Sequence, residues 1–317
     1  MRMISALSAA ALLILTTAAT LATGSAQAPG FLGRWNLTGT GEDANRIYWL
    51  EVTDKGGALS GMFLNRGGSP VPLASVAVQN NELVFQLAAG SNKQPGAEFR
   101  ARLEGDKLVG STKASDRVVN FVGVRPPKWP ASDANAKHTY GKPVELFDGK
   151  TMNGFDTQPS NYPVTWTVEE GVLANAPPTR NLISKEKFMN FRLQAEYKLF
   201  EKSNSGLYIR GRYELQVLDD YGKPAEKHGH MAIYGWTPPL VNASKPIGEW
   251  QTVDAIVVGN RVTVTLNGQK VHDNAELQAI TGGALDANET EPGPILIQGD
   301  HTKVAFRKLT VTPILSK

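Results

Sequence analysis

Ser205-Gly206-Leu207-Tyr208-Ile209-Arg210-Gly211-Arg212-Tyr213-Glu214-Leu215-Gln216-Val217-Leu218-Asp219-Asp220 reads as two strands around a glycine turn. Leu207 and Ile209 alternate with Tyr208 and Arg210, and Leu215 and Val217 alternate with Glu214 and Gln216. Successive strand residues point to opposite faces, so the apolar set packs on a core and the polar set lines the other side. Turn length decides whether the two polar sets share that side. A two-residue turn at Gly211-Arg212 would pair Arg210 with Tyr213, putting Glu214 and Gln216 among Leu207 and Ile209. The cost of burying a lone carboxylate argues instead for an odd-length loop or a bulge at Gly211. Tyr208, Arg210, Glu214 and Gln216 then share one face. Solvated sheet faces favour Lys, Thr and Ser, whereas these four residue types together make a hydrogen-bonding platform suited to sugar hydroxyls.

Outward from this hairpin the chain stays β. Helical periodicity is nearly absent, and Gly, Asn-Gly, Asp-Gly and Gly-Gly punctuate short alternating segments. Asn267-Gly268 between Val262–Leu266 and Gln269–Val271 is the strongest hairpin signal. With strands at Trp166–Val168, Phe191–Leu199, Trp250–Val258, Pro294–Gln298 and Val304–Val311, residues 144–317 predict a two-sheet jelly roll. The Pro-rich stretch VRPPKWPASDANAKHTYGK has no alternation and predicts a linker over 126–143. Before it, residues 31–125 form a meander of eight short strands, suiting a small antiparallel barrel of lipocalin-like plan. No polar cluster stands out there, which favours a structural or docking module over a ligand barrel.

Arg2, an apolar run from Ile4 to about Leu21 and then Ser25-Ala26-Gln27-Ala28 have the parts of a secretory signal peptide over residues 1–28. The expectation is export to the periplasm or the extracellular space, with no transmembrane segment left after removal. The sequence holds no cysteine, which excludes disulfides, thiolate metal sites, lipid attachment at cysteine and cysteine nucleophiles. Thirty-three Lys and Arg against 30 Asp and Glu give a formal charge of +3. The basic residues are spread along the chain, which argues against nucleic acid as a partner.

Further candidates lie in loops. Gln298-Gly299-Asp300-His301 ends a strand, and Arg307 alternates with Val304 and Phe306. Tyr234 and Trp236 supply aromatic rings for stacking on a pyranose, and Lys245 a cation, although a packed loop accounts for them equally well. Asp219, Asp220, His228 and His230 would suit a divalent metal, the one cofactor these residues suggest; the Lys and Glu around them fit an ordinary loop better. Retaining jelly-roll glucanases need alternating carboxylates about 5 Å apart. Here Gln216 and Leu218 stand where the further acids belong, so a two-carboxylate mechanism lacks its parts.

Several ordered motifs together resemble the 3-keto-disaccharide hydrolase domain family over roughly Val144 to Pro313. They are Leu146-Phe147-Asp148-Gly149-Lys150-Thr151, Trp166-x-Val168, Asn204-Ser205-Gly206-Leu207-Tyr208-Ile209-Arg210, Tyr213-Glu214-Leu215-Gln216-Val217-Leu218-Asp219, Gly248-Glu249-Trp250, Leu266-Asn267-Gly268 and Gln298-x-x-His301 with Phe306-Arg307. The resemblance implies a concanavalin-like jelly roll that cleaves glycosides already oxidised at carbon 3, by β-elimination across C1–C2 and water addition. Such a path needs one base, an oxyanion stabiliser and sugar-positioning groups. It implies His301 or Glu214 as base, Arg210 and Lys245 steadying enolate charge, and Asn204, Tyr208, Gln216 and Gln298 holding hydroxyls. A carbohydrate-binding protein without catalysis is the alternative, and a barrel that docks an oxidoreductase or envelope partner is a third.

Overall fold

Eight antiparallel strands close on themselves in the first part of the chain: β1 (Gly33–Gly39), β2 (Ile47–Asp54), β3 (Leu59–Leu64), β4 (Val71–Gln79), β5 (Glu82–Leu87), β6 (Glu98–Glu104), β7 (Lys107–Ala114) and β8 (Arg117–Val124). Each pairs with the next, and β1 pairs with β8, so the barrel has no free edge. The computed structural model describes residues 29–89, 96–114 and 117–315. Residues 1–28, which carry the expected signal peptide, lie outside them. No helix among the described residues is long and apolar enough to cross a membrane.

Alternation fills the barrel with side chains. Phe63, Phe85 and Phe99 stack with ring centroids 4.8–5.6 Å apart, flanked by Tyr48 and Phe121. Trp35, Leu37, Leu50, Leu83 and Leu108 complete this core. A barrel of eight strands is just wide enough for its own side chains to fill, and here they do.

The outside of the barrel is not all wet. In β2, Tyr48, Leu50 and Val52 point inward while Ile47 and Trp49 point outward, yet all five are buried. Ile47, Trp49 and Leu64 pack on Ala279, Ile280 and Ala287 of the second part of the chain, and Trp49 meets Trp236 edge-on at 4.8 Å. Strand β2 therefore reads as a nearly unbroken apolar run because both of its faces are covered.

That second part is a two-layer sandwich. One sheet has five strands in the order β10 (Phe155–Thr157), β13 (Leu182–Phe188), β20 (Gly293–Ile297), β15 (Asn204–Ile209), β16 (Tyr213–Leu218). The other runs β11 (Trp166–Glu169), β12 (Val172–Asn175), β21 (Val304–Pro313), β14 (Phe191–Leu199), β17 (Trp250–Val258), β18 (Arg261–Leu266), β19 (Gln269–Glu276), with β9 (Val144–Phe147) paired to β21. Strand β14 shows the period: Phe191, Leu193, Ala195, Tyr197 and Leu199 are buried and the residues between them are half-exposed. They face Leu207, Ile209, Tyr213, Leu215 and Val217 across one continuous core. The chain is thus the all-β barrel plus two-sheet jelly roll that its turn punctuation predicts.

Residues 126–143 contain no strand, but they are anchored. Asn135 donates to Asp273 at 2.6 Å and accepts from Thr263 at 2.7 Å, Ala134 is fully buried, and Tyr140 bridges to Ile314.

Candidate active site

The hairpin register is the odd-length alternative. Tyr208 stands opposite Glu214, Ile209 opposite Tyr213, and Gly206 opposite Gln216, which leaves a three-residue turn of Arg210, Gly211 and Arg212. Arg210 and Gly211 both take left-handed conformations, with φ of 56° and 65°. Tyr208, Glu214 and Gln216 consequently share the outer face of the five-stranded sheet.

Arg210 does not join them. Strand β15 ends at Ile209, so alternation no longer sets the direction of the next side chain. The Arg210 guanidinium is fully buried between the Trp129 and Tyr213 rings, 5.3 and 5.1 Å from their centroids, away from the polar face. Its role is to hold the 126–143 segment against the turn.

Over the polar face lies a cavity of about 450 Å³, within the range of small-molecule sites. Asn204, Tyr208, Glu214, Gln216, Tyr234, Gln298 and His301 line it, which brings together seven of the ten catalytic and sugar-binding residues the sequence suggested. Lys245 and Arg307 stay outside. Lys245 donates through Nζ to the Trp250 carbonyl, and Arg307 binds Glu196 at 2.6 Å while lying 4.4 Å over the Trp250 ring. Arg307 belongs to β21 of the eight-stranded sheet, and Lys245 to the connection that leads into β17 of the same sheet. Arg307 is the extra residue of a bulge, because Tyr197 pairs with Phe306 and Glu196 with Lys308.

The metal quartet is also dispersed. His230 spends both ring nitrogens, taking the Leu218 N–H on Nδ1 and meeting the Tyr197 hydroxyl on Nε2, and burial pushes its pKa down to about 4. Asp219 accepts from the Lys202 N–H, Asp220 from the His230 N–H and Asn242, and His228 Nε2 meets Ser69 Oγ at 2.6 Å. Among the described residues no three His, Asp or Glu side chains are grouped to hold an ion.

Glu214 is the centre of the cavity's chemistry. Burial pushes its carboxyl up to about 8, while the Tyr208 hydrogen bond and the His301 charge pull the other way. Space for the carboxyl is cleared by Gly206, where any Cβ would collide with Glu214 Oε1 and the Tyr208 ring. Tyr208 Oη lies 2.9 Å from Glu214 Oε2 and 2.8 Å from the Gly282 carbonyl. A phenol has one proton for these two acceptors. A protonated Glu214 satisfies both, donating to Tyr208 while Tyr208 donates to Gly282; an ionised Glu214 takes the phenol proton for itself. The position of the Tyr208 proton is thus coupled to the protonation of Glu214.

The strand carrying Glu214 is held from both sides. On its outer edge Gln216 N–H donates to Ala232 O, Met231 N–H to Gln216 O and Tyr234 N–H to Glu214 O, and Met231, Ala232 and Ile233 are fully buried. Beside Glu214, His301 Nδ1 lies 2.8 Å from Asp300 Oδ1, and that contact raises the imidazole pKa above its usual value against the opposing effect of burial. Asp300, Asn181, Thr179 and Gln158 line the same cavity and were not singled out from sequence, nor were Asn45 and Arg66 of the barrel.

Replacing Tyr208 by Phe removes the hydrogen bond that favours the ionised carboxyl. A carbon-13 NMR titration of Glu214 should then show its pKa moving up from about 8 by roughly one to two units, since a charged hydrogen bond contributes about 1.5–3 kcal/mol.

Fold and site together define a jelly-roll protein with one deeply buried carboxyl at the floor of a polar, sugar-sized cavity. The chain belongs to the 3-keto-alpha-glucoside-1,2-lyase-like domain family, whose match spans residues 142–312. A 3-keto-disaccharide hydrolase from Bacteroides thetaiotaomicron is 27% identical over 164 residues, which are 40% of this chain and 57% of that protein. The chain thus spans little more than half the length of the curated relative it matches. Among solved structures, a Parabacteroides distasonis protein provisionally described as a glycosyl hydrolase is 26% identical, with a TM-score of 0.47 over 60% of this chain and 92% of that one. A non-specific endo-β-1,3(4)-glucanase of family GH16 aligns with a TM-score of 0.39 at 12% identity, over 60% of this chain and 95% of its own.

Proposed function

We propose that the cavity cleaves glycosides whose sugar carries a keto group at carbon 3, with Glu214 as the base. The observation that carries this reading is the buried Glu214 carboxyl at a cavity lined by Tyr208, Gln216, Gln298 and the Asp300–His301 pair, its pKa pushed up by burial to about 8. A 3-keto group acidifies the proton on C2. Glu214 takes that proton, the C2–H electrons form the enolate, and the C1–O bond then breaks as the C1–C2 double bond forms. Tyr208 relays with Glu214, donating to it when ionised and receiving from it when protonated. His301, whose pKa Asp300 raises, donates a proton to the departing oxygen. Water then adds at C1 and a proton returns to C2, giving the free 3-keto sugar and the released alcohol. Asn204, Gln216, Gln298 and Tyr234 are placed to hold ring hydroxyls. The family's description and the name of the Bacteroides relative support the same substrate class.

A glycosidase of the usual kind would cleave the parent sugar without prior oxidation. The test is therefore a mass-spectrometric assay of the purified full-length protein with 3-keto-trehalose and with trehalose. Release of hexose from the keto sugar alone is expected. Equal cleavage of both sugars would point to oxocarbenium chemistry, and binding of the keto sugar without product would make the protein a lectin; either outcome sinks the proposal.

A further inference from the structure

We infer that the N-terminal barrel supplies one wall of the active site, with Arg66 and Asn45 holding the leaving group of the glycoside. The inference rests on the function proposed above. The barrel's filled interior has no room for a ligand, and its contribution lies at its rim. The turn between β3 and β4, residues 65–70, reaches over the jelly roll and lines the cavity through Arg66, Gly67 and Gly68; Asn45 joins it from the turn before β2.

The wall is built into the fold. Gly283 N–H donates to the Arg66 carbonyl at 2.7 Å. The Gly282 backbone lies so close to Gly67 and Gly68 that no side chain fits at 282, and a Cβ at Gly235 would press on Ser69 at 3.0 Å. The turn is therefore wedged between two glycine-lined surfaces of the jelly roll, with Ser69 also bonded to His228. Gly282 is the residue whose carbonyl receives the Tyr208 proton, and a Cβ at Gly283 would meet the Tyr208 hydroxyl at 2.6 Å. The barrel turn thus touches the backbone that receives the relay.

The two sides of the cavity differ in chemistry. The jelly-roll side offers amides, hydroxyls and the Asp300–His301 pair around Glu214, which suits the ring that reacts. On the barrel side Arg66 is exposed, and its side chain makes no hydrogen bond or ion pair among the described residues. Among the described residues it is the one Lys or Arg lining the cavity. With Asn45 beside it, this edge presents hydrogen-bond donors to whatever projects beyond the reacting ring. A second sugar, rich in oxygen acceptors, fits that description; a methyl group does not reach it.

The experiment compares full-length wild type and Arg66→Ala on a 3-keto-disaccharide and on the methyl 3-keto-glucoside. Losing a charged hydrogen bond should lower kcat/KM for the disaccharide by roughly 10-fold to 100-fold, mainly through KM, and leave the methyl glycoside within about twofold. Asn45→Ala should act in the same direction with a smaller effect. Both residues are exposed, so melting temperatures should match the wild type. An unchanged ratio between the two substrates, or an equal loss on both, overturns the wall. If the wild type cleaves neither substrate, the proposed function is what has failed. The wall is then judged by calorimetry: weaker disaccharide binding by Arg66→Ala supports it, and equal or absent binding overturns it.

Discussion

Glu214→Gln should lose about 10²- to 10⁴-fold in kcat on a 3-keto-glycoside, the usual contribution of a positioned base, and should nevertheless be the more stable protein at pH 8. Both effects come from the same burial. Below pH 4.5 the folded and unfolded chains both hold the Glu214 proton; between 4.5 and about 8 only the folded chain does. A group whose folded pKa is raised contributes stability at low pH that is lost as pH climbs through that window. The wild type should therefore weaken from pH 4.5 to 8 relative to the amide variant, by a few kcal/mol in total. Urea titrations of both proteins at pH 4, 6 and 8 measure the difference. Parallel stability curves would mean that the carboxyl is solvated and ordinary. The activity of the wild type should rise with pH toward about 8, and the residual activity of the variant should not follow that limb.

Trp49→Ala should be the most damaging single change to the assembly. Trp49 is fully buried, although it sits on the outside of the barrel, because its ring fills the seam against Trp236, Ala279 and Ile280. Truncating a buried Trp costs about 3–5 kcal/mol, here removed from the contact that seats the barrel on the jelly roll. Thermal unfolding of the variant should separate into two transitions, and disaccharide cleavage should fall more than cleavage of a methyl glycoside. Trp49→Phe should be mild, since Trp49 Nε1 has no hydrogen-bond partner to lose and an aromatic ring still meets Trp236. A single unchanged transition for the alanine variant would show that the seam contributes little.

The hairpin from Ser205 to Asp220 carried most of what could be read beforehand. Period two separated Tyr208, Glu214 and Gln216 from the core set, and the cost of a buried lone carboxylate selected the odd turn that the register shows. Yet Glu214 is buried after all, on the polar side, under loops and the barrel. Alternation distinguishes core from outside within a sheet; it does not tell what later covers the outside. The same limit explains the misplaced cations. Arg307 alternates as expected, but on the opposite sheet, Lys245 sits in the connection before β17, and Arg210 lies one residue past the strand whose period was applied to it. Asp300, Asn181 and Arg66 reach the cavity from connections, where no period operates. One signal was available: Ile47-Tyr48-Trp49-Leu50 does not alternate, unlike Arg34-Trp35-Asn36-Leu37-Thr38 in the strand before it. A strand of a filled barrel that is apolar on both faces announces a partner surface, and that surface is the jelly roll.

The buried segment Met231–Tyr234, laid along the outer edge of β16, gives the site a timescale. An edge strand usually frays, and its amides then trade deuterium with solvent on their own schedule. Here the Gln216 amide is tied to Ala232, and the cover over it has no exposed residue from Met231 to Ile233. Exchange at that position has to wait for the Met231–Ile233 segment to lift from the edge. The strand that carries the Glu214 carboxyl is held in place for as long as that segment stays down.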